Sequence, residues 1–192
     1  NMATMEAMRE KQHWWTKLAL KLAHWGNRNT QTGSKKNISA HYDLGNDFFA
    51  LFLDPTMMYS SAVYPAESAS LEEASLHKLK LICESLELSA DDHLIEIGTG
   101  WGGMAVYAAK HYGCKVTTTT ISEEQYNKAC AEVAAHGLTD QVTVLCKDYR
   151  DLEGQFDKLV SIEMIEAVGH EFYESYFRCV SKLLKPEGKA VI

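Results

Sequence analysis

The chain has 192 residues, 46% hydrophobic and 23% charged, with 12 Gly and 3 Pro, a composition that excludes collagen-like, disordered and disulfide-scaffold proteins. A domain of this size buries about 70% of the surface its unfolded form exposes, so its core needs neither a disulfide nor a metal. Five cysteines, odd in number and at least 16 residues apart, spell no CxxC zinc site and no redox pair and are read as buried thiols in a reducing compartment. No run approaches the roughly 18 apolar residues of a membrane span, and no leader pattern opens the chain, which is expected to be soluble and cytoplasmic.

The net charge of −7 is uneven: residues 1–36 carry +5 and the remainder −12. That basic segment also holds Trp14, Trp15 and Trp25 among Leu18, Leu20 and Leu22, the composition of an amphipathic helix lying on an anionic membrane surface. The alternative is a basic helix packing its Trp/Leu face on the domain. Nucleic acid would also match the charge but is not the expected partner. Residues 26–36, GNRNTQTGSKK, read as a linker.

Residues 37–53 read as a helix with Phe48, Phe49 and Phe52 clustered, a group expected to be core rather than an acyl tunnel; Asp54-Pro55 ends it. A second helix, 70–88, places Leu79, Ile82, Cys83 and Leu86 on one stripe. Together, residues 37–91 are expected to form a helical cap over an α/β domain of residues 92–192. From His93 onward short apolar runs alternate with helical stretches: strands at 94–97, 115–119, 142–146, 158–162 and 189–192, helices at 103–111, 122–136 and 171–184. Such alternation implies right-handed crossovers and a doubly wound parallel sheet covered on both faces. The pattern stops in its fifth strand, and the chain is expected to end within the sheet.

The segment Leu94-Ile95-Glu96-Ile97-Gly98-Thr99-Gly100-Trp101-Gly102-Gly103 is an apolar strand entering a glycine loop and then a helix. Such a loop admits close backbone approach and offers free N–H groups to an anionic ligand. Alone it is a weak signal, since a glycine turn also serves backbone geometry; Trp101 then merely packs the loop. The positions of acids discriminate further. A nicotinamide site wants Asp or Glu at the end of the second strand, yet residues 112–122 contain none and end in Thr117-Thr118-Thr119-Thr120, with Gln125 just beyond. Glu96 lies two residues before the first glycine, in reach of a cationic group over the loop, and Asp148-Tyr149 offers an acceptor and an aromatic face. A ligand with ribose, carboxylate and amine, S-adenosylmethionine, fits this set better than NAD.

Taken together, HYDLGNDFF (41–49), LDPTMMYS (53–60), GTGWGG (98–103), TISEEQ (120–125), DYRDL (148–152) and FDKLVSI (156–162) resemble the cyclopropane-fatty-acyl-phospholipid synthase and mycolic acid cyclopropane synthase family from about residue 37 to the end. The resemblance implies the first five strands of a class I methyltransferase, Rossmann-like fold, and a methylene transfer from S-adenosylmethionine to the cis double bond of a phospholipid acyl chain. It also implies Tyr59 and Ser60 at the methionine end of the cofactor, with Glu96, Gly98, Gly100 and Gly102 at the glycine loop. Thr120 and Gln125 are implied at the ribose, and Asp148 and Tyr149 at the adenine. Glu166 matches the carboxylate that helps hold a bicarbonate ion acting as base. Ser61 stands where many members have Cys, and Ala167 where His is common. Later His and Tyr contacts of that ion lie beyond residue 192.

The expected chemistry is attack of an alkene π bond on the sulfonium methyl in a water-excluding site. Tyr42 is the candidate aromatic face for the cation, worth about 0.5–2 kcal/mol, and Ser61 the candidate replacement for Cys beside Glu166. On residue type alone, Glu166 is a helix-start acid, Ser61 a turn residue, and His41 and His170 locally hydrogen-bonded groups. Two other functions stay open: methylation of an acyl chain or other small molecule without ring closure, and a non-catalytic S-adenosylmethionine- or lipid-binding module. A homo-oligomer is compatible with either.

Overall fold

The computed structural model describes Gly33 and residues 45–192. The basic segment with Trp14, Trp15 and Trp25, and His41 and Tyr42 of the HYDLGND motif, lie outside the described residues. Five parallel strands form one sheet in the order β3-β2-β1-β4-β5: β1 His93–Ile97, β2 Lys115–Thr120, β3 Val142–Cys146, β4 Phe156–Val160 and β5 Leu184–Val191. The helices are α1 Asn46–Ala50, α2 Leu71–Ser85, α3 Gly103–Tyr112, α4 Glu123–Ala135 and α5 Tyr173–Leu183. The expected doubly wound sheet is therefore present, and its strand order reverses between β1 and β4.

Alternation along each strand divides the core. Leu94, Val116 and Val142 turn to one face and pack with Leu79, Cys83, Met104, Ala105, Ala108 and Val133 of α2, α3 and α4. Ile95, Ile97 and Leu159 turn to the other, against Tyr176, Val180 and Leu183 of α5. Burial on both faces is what makes these parallel strands read as apolar runs.

Boundaries differ from the sequence expectation for identifiable reasons. The helix expected over 37–53 is, in its described part, only α1, because Leu51 and Phe52 turn out and Asp54 closes the next turn by accepting the Thr56 N–H at 2.9 Å and its hydroxyl at 2.6 Å. The phenylalanines separate: Phe49 is core, whereas Phe48 is 45% and Phe52 48% exposed. A capping box between Ser70 and Glu73 starts α2. It stops at Ser85, three residues early, because Glu87 enters the left-handed region at φ 52° and Leu88 N–H returns to the Cys83 carbonyl. β4 begins two residues early because Phe156 joins the core and pairs with Leu184. β5 begins five residues early, carrying Pro186 as an edge strand can, with a register shift opposite Phe156 and Lys158. Among the cysteines, Cys83 and Cys114 are buried as expected, but Cys146 is exposed at the end of β3. No described helix is long and apolar enough to cross a membrane.

Candidate active site

An open α/β sheet leaves a crevice at the carboxyl ends of its strands where the order reverses. Here a cavity of about 970 Å³ occupies that place. It is lined by the glycine loop after β1, the ends of β2 and β3, the loop after β4, and residues 52–53, 57–61 and Leu71 from the α1–α2 region. Its volume lies at the upper end for ligand sites, roughly 300–1,000 Å³.

The glycine loop is fixed by its neighbours. Gly98 and Thr99 N–H groups both donate to the Thr119 carbonyl, at 3.0 and 2.9 Å. Gly98, Gly100 and Gly102 all have positive φ; a Cβ on Gly100 would point into open space, so this glycine serves the turn and the cavity rather than packing. Gly102 and Gly103 differ, because a Cβ on Gly102 would meet Ala129 at 3.3 Å and one on Gly103 would overlap the Thr56 carbonyl oxygen. Trp101 is 2% exposed. It packs on Phe49 at 5.0 Å and its indole N–H donates to Asn46 Oδ1 at 2.6 Å, so it ties α1 to the loop as well as packing it.

Glu96 stands beneath the loop, 2% exposed. The Thr118 hydroxyl, opposite it in the ladder, donates to its Oε2 at 2.6 Å and lies 2.6 Å from the Thr99 hydroxyl. Burial pushes the Glu96 carboxyl up to about 8, opposed by the Thr118 bond. At the end of β2 the Thr120 hydroxyl donates to Gln125 Oε1 at 2.8 Å, both residues buried. Asp148 is clasped: Arg150 donates Nε to Oδ1 at 2.8 Å and a terminal nitrogen to Oδ2 at 2.6 Å, and its backbone N–H bonds Oδ1 at 2.9 Å. Tyr149 beside it sits edge-on to Tyr176 at 5.6 Å. Tyr59 packs against Phe49 at 5.2 Å. Ser60 Oγ is buried without a hydrogen-bond partner in the wall of the cavity.

Ser61 and Glu166 both line the cavity, yet Ser61 bonds another carboxylate. Its N–H and hydroxyl donate to Glu163 Oε1 at 2.9 and 2.8 Å, and Lys78 Nζ joins the same oxygen at 2.9 Å and the Ser61 carbonyl at 2.8 Å. Burial raises the Glu163 carboxyl, but the bonds from Lys78 and Ser61 outweigh it and hold it below its ordinary value. Glu166 sits exposed on a short 3₁₀ turn, Ile165–Ala167, without a hydrogen bond or ion pair among the described residues. Ser61, Glu163 and Lys78 thus form one cluster, and Glu166 makes no hydrogen bond to it. Sequence reasoning missed Glu163, Lys78, Thr118 and Arg150. Lys78 had a signal, a cation on the stripe of Ala74, Ser75, Leu79 and Ile82 that the helix buries. His170 is exposed, 3.3 Å from Glu171, and does not line the cavity.

A parallel sheet of this order with its cavity at the switch point is the Rossmann-like fold of class I methyltransferases. The family model described as "Mycolic acid cyclopropane synthetase" matches residues 29–192, and the chain belongs to that family. Cyclopropane-fatty-acyl-phospholipid synthase of Escherichia coli is 49% identical over 148 residues, 77% of this chain and 37% of the relative. The tuberculostearic acid methyltransferase of Mycobacterium tuberculosis is 39% identical over 166 residues, 83% of this chain and 39% of the relative. A mycolic acid cyclopropane synthase solved with S-adenosylhomocysteine and CTAB superposes with a TM-score of 0.76 at 35% identity, covering 79% of this chain and 53% of that one. The chain thus spans well under half the length of these curated relatives.

Proposed function

We propose that the chain binds S-adenosylmethionine over the Gly98–Gly102 loop and serves methylene transfer to the cis double bond of a lipid acyl chain, closing a cyclopropane ring. The observation that carries the reading is the buried, unpartnered Ser60 hydroxyl in the same cavity wall as the open Gly100 cradle and the Glu96 carboxyl. A desolvated hydroxyl without a partner costs about 1–3 kcal/mol, which a ligand's polar group offsets. When bound, S-adenosylmethionine supplies an electrophilic methyl on a sulfonium.

The chain's own residues do the rest. Gly98 and Gly100 leave backbone room for the ligand, Gly102 keeps the loop close against Ala129, and Tyr59 with Ser60 closes on its methionine end. Glu96 faces its cationic part, Thr120 and Gln125 the ribose, and Asp148 with Tyr149 the adenine. Phe52, Leu53, Met57, Met58 and Leu71 give the cavity an apolar wall suited to an acyl chain. Such a wall also keeps water from a developing carbocation, and Tyr42 is the further aromatic group proposed to face it. Glu166 presents a carboxylate to this space. Bicarbonate does not fit the residues present: both donors of Ser61 and the Lys78 ammonium already serve Glu163. Residues 1–36 are proposed to rest on the inner membrane surface, bringing unsaturated phospholipid to the cavity.

Calorimetry with S-adenosylhomocysteine, S-adenosylmethionine and NAD tests the reading. The sulfur ligands are expected to bind and NAD not, with binding lost in Gly100→Val, whose side chain would enter the cavity from a left-handed residue. NAD binding without a response to the sulfur ligands refutes it. In the protein containing this chain, product mass and the loss of the C=C separate ring closure from simple methyl transfer.

A further inference from the structure

The Glu163 cluster carries an inference that rests on the methylene-transfer reading but departs from it at the anion of the site. Three donors converge on Glu163 Oε1: Ser61 N–H at 2.9 Å, the Ser61 hydroxyl at 2.8 Å and Lys78 Nζ at 2.9 Å. An ammonium, a backbone N–H and a hydroxyl directed at one point are the donor set of an anion site. The anion found there is a side chain of the protein itself.

We propose that Glu163 is the built-in anion of this site, its carboxylate occupying the donors that bicarbonate would use, so that the chain binds no bicarbonate. Two further observations support this. Glu163 holds φ 45°, a left-handed conformation that a long side chain adopts at a cost of order 1 kcal/mol or more, so the cluster outweighs local preference. And a second anion would meet two carboxylates, Glu163 and Glu166, in the same cavity wall, where the cations among the described residues are Lys147 and Arg150. Arg150 is clasped on Asp148, and Lys147 follows β3, three strands from β4 and about 14 Å across the sheet. The proton-accepting anion of the reaction is then a carboxylate of the chain rather than a captured ion. The cluster also joins α2, the Tyr59–Ser61 segment and the loop after β4, three walls of the cavity, through one oxygen atom.

Glu163→Gly provides the test, because glycine accepts φ 45° without strain while freeing Ser61 and Lys78. Carbon-13 bicarbonate is titrated into the unaltered chain, Glu163→Gly and Glu163→Ala, with circular dichroism checking the fold and S-adenosylhomocysteine titrated in parallel. The unaltered chain is expected to show no saturable bicarbonate binding, and the two variants to bind at least about tenfold more tightly. Saturable binding to the unaltered chain overturns the proposal even if a variant misfolds, as does failure of both folded variants to gain it. Absence of S-adenosylhomocysteine binding to the unaltered chain strikes the cofactor reading instead, so the two failures are distinguishable.

Discussion

Glu96→Gln isolates the energetics of the carboxyl beneath the glycine loop. Glu96 is 2% exposed, accepts a hydrogen bond from the Thr118 hydroxyl at 2.6 Å, and is raised by burial from an ordinary 4.5 to about 8. Between those values the folded chain keeps a proton that the unfolded chain has lost, so stability falls as pH rises through that window and levels off above it. The interval corresponds to at most about 5 kcal/mol. Because the carboxyl also borders the cavity, where water can reach it, about 2–4 kcal/mol is expected in urea titrations compared between about pH 5 and about pH 9. Glutamine keeps the shape and an acceptor for Thr118 but cannot ionise. The stability of Glu96→Gln minus that of the unaltered chain should therefore grow toward alkaline pH. A bound cation would lower the carboxyl again, so S-adenosylmethionine uptake should release a proton and tighten between about pH 6 and about pH 8, effects absent from the variant. Parallel stability profiles for the two proteins would refute the reasoning.

Three other variants, two single and one double, test the cavity wall, the loop packing and the basic segment. Ser60→Ala should leave the ligand-free chain as stable or stabler, having removed an unpartnered buried hydroxyl, yet weaken S-adenosylhomocysteine binding by about 0.5–1.5 kcal/mol in calorimetry. Gly103→Ala should lower the melting temperature by several degrees, since overlap with the Thr56 carbonyl costs about 1–3 kcal/mol against a helix-propensity gain near 1. Co-sedimentation should show binding to anionic but not zwitterionic vesicles, weakened by salt and by Lys17→Glu with Lys21→Glu at about 1 kcal/mol per cation.

The fold was legible because its signals are local: the apolar runs of β1 to β3, the Leu79, Ile82, Cys83 and Leu86 stripe of α2 and the acid-free end of β2 each depend on a few neighbouring residues. The fifth strand was read at 189–192, but its first five residues were not, since Pro186 and Gly188 argue against a strand until β4 supplies a partner. Within the site, positions tied to one motif could be read, whereas Ser61–Glu163–Lys78 joins residues 102 and 85 positions apart and exists only once three elements meet. Asp148 shows the reverse: its acid was visible, but not that Arg150 two residues on would hold both its oxygens.

Trp101 gives the glycine loop an optical probe of its own. The chain has four tryptophans, three of them in residues 1–36. Replacing those three with phenylalanine would leave one indole, sealed against Phe49, bonded to Asn46 and 6.4 Å from the Tyr59 ring. Its emission would then report in real time on whether the α1 and Tyr59 segments are seated over the loop, a kinetic window on the cavity that requires neither label nor substrate.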